Sequence, residues 1–158
     1  AINGCMNSIS DKKDIKNIKV IGKAVEEDAQ VLEMPLYLSR ISAGFPSPAD
    51  DYIESALDLN RFLVKNPPAT FMVKVSGDSM IGAGIHSGDI LVVDRAAEAT
   101  HGKIVVAVLD GELTVKRLHF KDNKCMLIPE NDRYQPIHIA SEQELHIWGV
   151  VTAVVRRF

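Results

Sequence analysis

The segment Ser76-Gly77-Asp78-Ser79-Met80 packs a glycine, a carboxylate and a serine into one tight connection after the apolar run Phe71 to Val75. A serine on such a constrained turn lies close to backbone N–H groups, the arrangement that an acyl-transfer nucleophile requires. The same residue types are ordinary turn formers, so a serine that only caps a turn or helix is the alternative reading. A serine nucleophile also needs a base. The five histidines, His86, His101, His119, His138 and His146, form no triad-like pattern. Lys116 is the other candidate, because alternation along Glu112 to Phe120 puts it on one face with Thr114, Leu118 and Phe120. Apolar surroundings can lower a lysine pKa by up to about 3–5 units and let the neutral amine act as the base, as in Ser–Lys variants of the triad. A surface lysine with its stem laid along the sheet is the alternative.

Other chemistries find little support. There is no HExxH, no P-loop and no GxGxxG, and Gly82-Ala83-Gly84 lacks the strand, helix and downstream acid of a dinucleotide site. Cys5 and Cys125 stand far apart with no metal-type spacing, which fits a reducing cytoplasm and no disulfide framework. Neither a metal nor a cofactor is expected.

These residues need a scaffold, and the chain from Pro68 onward supplies one. Short runs rich in Val and Ile alternate with glycine-bearing turns such as Ser87-Gly88-Asp89, predicting strands over Phe71 to Val75, Ile90 to Asp94, Lys103 to Leu109, Leu113 to Phe120, Cys125 to Ile128 and His146 to Val155. Asp110-Gly111 should close a hairpin. Upstream, Ser47, Pro48 and Asp50 read as a helix start, and Tyr52, Ile53, Ala56, Leu57, Phe62 and Leu63 recur at helical spacing before the stop at Asn66-Pro67-Pro68. One or two short helices are expected there. Residues 1–43 show no sustained periodicity and read as a loosely structured arm.

The 158 residues are 46% hydrophobic and 25% charged, with a net charge of −3, enough chain for one domain of usual size with an arm. Six basic and six acidic side chains precede Gly44, and twelve and fifteen follow, so neither part is a basic arm for gripping phosphates. Apolar runs such as Ile104 to Leu109 fall far short of the roughly 20 residues that span a bilayer, so no membrane is expected among the partners.

Taken together, Ala43-Gly44-Phe45-Pro46-Ser47-Pro48, the Ser76 to Met80 segment, Gly88-Asp89-Ile90-Leu91-Val92-Val93-Asp94 and Asp110-Gly111-Glu112-Leu113-Thr114-Val115-Lys116 resemble the UmuD proteins, DNA-damage relatives of LexA and phage repressors. The resemblance runs from about Met34 to the C-terminus, with the motifs in family order. It implies a mainly β, compact curved fold of the LexA/UmuD C-terminal-domain type, with one or two short helices and an extended N-terminal arm. It further implies a Ser–Lys peptidase that cleaves its own Ala43-Gly44 bond, dividing the chain into an arm, 1–43, and a peptidase and dimerisation domain, 44–158. Ser79 is then the nucleophile, Lys116 the general base, and the backbone N–H groups of Asp78 and Ser79 the oxyanion hole.

The family's activity is latent until the chain docks on a RecA–single-stranded DNA filament, and the shortened product stays a homodimer and joins a Y-family, UmuC-like polymerase in error-prone translesion synthesis. Met34, Pro35, Leu36 and Tyr37 fall where the family has a stretch associated with the replication sliding clamp; a strand that anchors the arm is the equal alternative. One departure is that arms in this family are usually shorter than 43 residues, and Ala1 to about Glu33 matches no family pattern. Two rival readings remain at this stage: a LexA-like transcriptional repressor, and a non-catalytic dimeric module that binds polymerase or RecA. The first is disfavoured because 43 residues without helical periodicity are too few for a helix-turn-helix domain with its own core, so no direct sequence-specific DNA binding is expected.

Overall fold

The structure, a computed structural model, describes residues 20–23, 33–37, 53–122, 124–140 and 143–158. The chain divides into two compact units, one of residues 1–24 with 66–158 and one of residues 25–65.

The first unit is a single antiparallel sheet of eight strands: β1 (Val20–Lys23), then β4 (Thr70–Lys74), β5 (Ile90–Asp94), β6 (Ile104–Leu109), β7 (Glu112–Lys121), β8 (Lys124–Ile128), β9 (Ile137–His138) and β10 (Leu145–Val155), with β2 and β3 belonging to the second unit. Its spatial order is β1-β4-β5-β10-β6-β7-β8-β9. The long β10 joins the halves, pairing with β5 through its C-terminal part and with β6 through its N-terminal part. Its register shifts twice, between Ile147 and Gly149 and between Val151 and Ala153, and such bulges bend a strand.

Alternation explains the two cores. On β6, Val105 and Ala107 pack with Leu118, Leu127 and Leu145 on one side, while Val106 packs with Phe71, Leu91, Val93, Met80 and Ile85 on the other. A strand buried on both faces must be apolar throughout, which accounts for the unbroken run Ile104 to Leu109. The six strands expected after Pro68 are all present, within a residue of their expected ends.

The second unit holds β2 (Glu33–Tyr37), β3 (Ile53–Asp58) and α1 (Leu59–Leu63). β2 and β3 form a two-stranded antiparallel sheet, with Met34 opposite Leu57 and Pro35 opposite Ala56. Pro35 is tolerated because each strand of a two-stranded sheet has an unpaired edge. The helix expected from Tyr52 onward is therefore corrected: Ile53 to Asp58 is a strand, and only one helical turn follows it, capped by the Asp58 carboxylate accepting from the Asn60 N–H at 2.9 Å. Spacing over so short a run suits either element, and pairing with a segment some twenty residues upstream decides between them. Within residues 1–43 the described segments, 20–23 and 33–37, are strands, and β1 pairs beside β4 at the end of the eight-stranded sheet. Ala43, Gly44, Ser47, Pro48 and Asp50 lie outside the described residues.

Candidate active site

Two local structures bring the serine and the lysine together. Asp110 and Gly111 take φ of 50° and 82°, so a two-residue turn with both centres left-handed closes the β6–β7 hairpin between the paired residues Leu109 and Glu112. That turn sets the register, which places Lys116 opposite the fully buried Val105. On the other side, β4 ends at Lys74, Gly77 turns the chain at φ 92°, and the buried Met80 pins the segment into the core before a 3-10 turn at Ile81–Ala83. Ser79 lies between these two constraints.

The Lys116 amine donates to Ser79 Oγ at 3.0 Å, to Thr114 Oγ1 at 2.8 Å and to the Val115 carbonyl at 3.0 Å. Lys116 is 9% exposed, and burial pushes its pKa below the ordinary lysine value of 10.5 by penalising the ammonium. Its surroundings differ in one respect from the apolar face that alternation suggests, because the amine itself meets three oxygen atoms. The pair opens into a cleft of about 200 Å³ lined by Val75, Ser76, Gly77, Met80, Val106 and Leu113, among others.

A loop after β8 fastens the serine turn from behind. The Glu130 N–H donates to the Ser79 carbonyl at 2.8 Å, the Gly82 N–H donates to the Glu130 carbonyl at 2.7 Å, and Asn131 Nδ2 donates to the Asp78 carbonyl at 2.9 Å. The Tyr134 hydroxyl donates to Asp78 Oδ1, and that hydrogen bond together with the carboxylate charge raises the tyrosine pKa. Glu130, Asn131 and Tyr134 lie in no motif that the sequence singled out. Thr114 alone left a signal, two places before Lys116 on the same strand face.

The histidines lie elsewhere. His86 is beside Asp89 and Arg156, while the His101 and His119 rings meet at a tilt of 56° with centroids 4.3 Å apart. Among the described residues, no three or more His, Cys, Asp and Glu side chains are grouped to hold a metal, and no helix is long and apolar enough to cross a membrane. Met34 to Tyr37 lie on β2 against β3, with Met34 46% exposed.

A buried lysine amine on a serine hydroxyl, beside a cleft, is the equipment of a serine peptidase that works without histidine. Residues 35–152 match the family described as Peptidase S24-like, and the chain belongs to that family of self-cleaving Ser–Lys peptidases. Among its relatives are the protein SamA of Salmonella typhimurium, 46% identical over 134 residues that cover 85% of this chain and 93% of SamA, and the protein MucA of Escherichia coli, 48% identical over 125 residues that cover 78% and 85%. LexA repressor 2 of Pseudomonas syringae pv. tomato is 41% identical over 132 residues, which cover 84% of this chain but 64% of the repressor. The resemblance to the UmuD proteins thus holds across the region that carries the motifs, and the chain is a UmuD-like S24 peptidase of SOS mutagenesis.

Proposed function

We propose that this chain cleaves its own Ala43-Gly44 bond, with Ser79 as nucleophile and Lys116 as general base. The observation that carries this reading is the 3.0 Å contact between the buried Lys116 amine and Ser79 Oγ. Neutral Lys116 takes the hydroxyl proton as Ser79 Oγ attacks the Ala43 carbonyl. The oxyanion is met by the backbone N–H groups of Asp78 and Ser79. The lysinium then gives its proton to the leaving amine of Gly44, and water, deprotonated by the lysine in turn, releases the acyl group from Ser79. A narrow cleft suits the methyl side chain of Ala43.

The activity is latent in the cytoplasm until a RecA–single-stranded DNA filament favours the state that presents the scissile bond to Ser79. The product, residues 44–158, remains a homodimer and serves as accessory subunit to a Y-family polymerase. Met34 to Tyr37 is the stretch available for a sliding clamp. Kinship with SamA and MucA over most of the chain supports the accessory role.

The test is incubation of the full chain at alkaline pH, with and without RecA filament, followed by intact mass. A fragment beginning at Gly44, absent in Ser79→Ala, is expected in both conditions. Folded protein that yields no such fragment in either would overturn the reading.

A further inference from the structure

Ser79 and Lys116 are 37 residues apart in sequence and sit on different segments, so their 3.0 Å contact needs something to hold it. The residue after the lysine provides a route. Alternation turns Arg117 to the opposite face of β7, where its Nε donates to Glu130 Oε1 and its Nη1 donates to the Gly102 carbonyl at 2.6 Å. Glu130 in turn holds the serine turn at two points, through its N–H on the Ser79 carbonyl and its carbonyl on the Gly82 N–H. The fit at the second point is close: a Cβ on Gly82 would lie 2.6 Å from the Glu130 carbonyl oxygen, so only glycine lets the two backbones approach.

We infer that the Arg117–Glu130 ion pair is a positioning device that ties the lysine strand to the serine turn and sets the Ser79 hydroxyl on the Lys116 amine. The inference rests on the Ser–Lys reading above. An isolated, part-exposed ion pair contributes little to stability. This one is a link in a continuous chain of bonds, Lys116 to Arg117 to Glu130 to Ser79, and its effect falls on geometry. A misplacement of about 1 Å at reacting atoms can cost on the order of 100-fold in rate, so a partial slackening should cost about tenfold.

The experiment measures the self-cleavage rate of the full chain against pH, without RecA, for wild type, Glu130→Ala, Arg117→Ala, the double variant and Glu130→Gln, with Ser79→Ala as control. Each alanine variant should lower the alkaline plateau about tenfold and leave the pH midpoint unchanged or lower, because neither residue touches the amine while a slackened Ser79 hydroxyl accepts less well from the ammonium. The double variant should be no slower than the slower single, since both remove one link. Glu130→Gln, which keeps an acceptor oxygen for Arg117, should recover most of the rate. Should an alanine variant fail to fold, Glu130→Gln and Arg117→Lys carry the test, the lysine being expected to slow the plateau because it cannot reach Glu130 and Gly102 together. Wild-type plateaus in the folded variants, losses that multiply in the double variant, or a raised midpoint would overturn the positioning role. If wild type gives no fragment, or Ser79→Ala does, it is the Ser–Lys reading itself that fails.

Discussion

A lysine ammonium has three N–H bonds and no lone pair, whereas the neutral amine has two N–H bonds and one lone pair. In this chain Ser79, Thr114 and Val115 accept three bonds from Lys116, so the ammonium is fully satisfied. Loss of one proton leaves Thr114 Oγ1 and the Val115 carbonyl to hold the remaining two, and the lone pair is then directed at Ser79. Because burial lowers the Lys116 pKa, self-cleavage should rise with pH through a midpoint below 10.5, as the neutral form accumulates. Thr114→Val removes an acceptor that matters more to the ammonium than to the amine. It should move the midpoint of the rate–pH profile further down and lower the plateau about tenfold, a fraction of the roughly 10²–10⁴ that a positioned base contributes. A profile that matches wild type in both respects would remove Thr114 from the mechanism.

Among the elements, β10 carries the greatest burden, since it pairs with both β5 and β6 and must bend to do so. Gly149 marks the place where the bend brings backbones together: a Cβ there would lie 2.8 Å from the Asp94 carbonyl oxygen and 2.8 Å from Val93 Cγ1. Gly149→Ala should cost about 1–3 kcal/mol, the usual price of overpacking, read as a lowered urea midpoint. An unchanged midpoint would show that the bulge can relax. The elements also separate what is legible from what is not. The six expected strands from Thr70 onward announce themselves because each carries buried residues and turn residues separate them, whereas the two-residue β9, with no buried residue, leaves no such signal. Ile53 to Asp58 does not, because its strand state depends on β2, which no local spacing encodes.

At the scale of the eight-stranded unit, the C-terminal residues are held to the loop before β5. Arg156 Nε donates to Asp89 Oδ1 at 2.6 Å and its Nη2 donates to Asp89 Oδ2 at 2.5 Å, while the His86 N–H donates to the same carboxylate at 2.8 Å. The Arg156 hydrogen bonds, and then the His86 N–H, bring the Asp89 pKa down from 3.8 to about 2. A carboxylate whose pKa is depressed on folding contributes stability that is present above its unfolded value and lost as the pH falls through the folded one. Wild type should therefore lose stability between pH 3.8 and about 2. Arg156→Ala should flatten most of that slope in urea titrations at stepped pH, and an equally steep slope would place the acid sensitivity elsewhere.

The sequence by itself determined the all-β body, the Asp110-Gly111 hairpin and the residue types of a Ser–Lys pair, because alternation, turn chemistry and motif order are local properties of the chain. It also marked Lys116 for burial through the apolar residues that share its strand face. Only the tertiary structure decided that Thr114 and Val115 hold the amine and that the loop from Glu130 to Tyr134 fastens the serine turn. The same holds for the strand at Ile53 to Asp58 and for the tie between Arg156 and Asp89. The Thr114 and Val115 bonds are local to the lysine strand and form only where that strand buries the amine; the others are pairings between segments distant in sequence, and hydrogen-bond partners of that kind are chosen by how the strands close on one another.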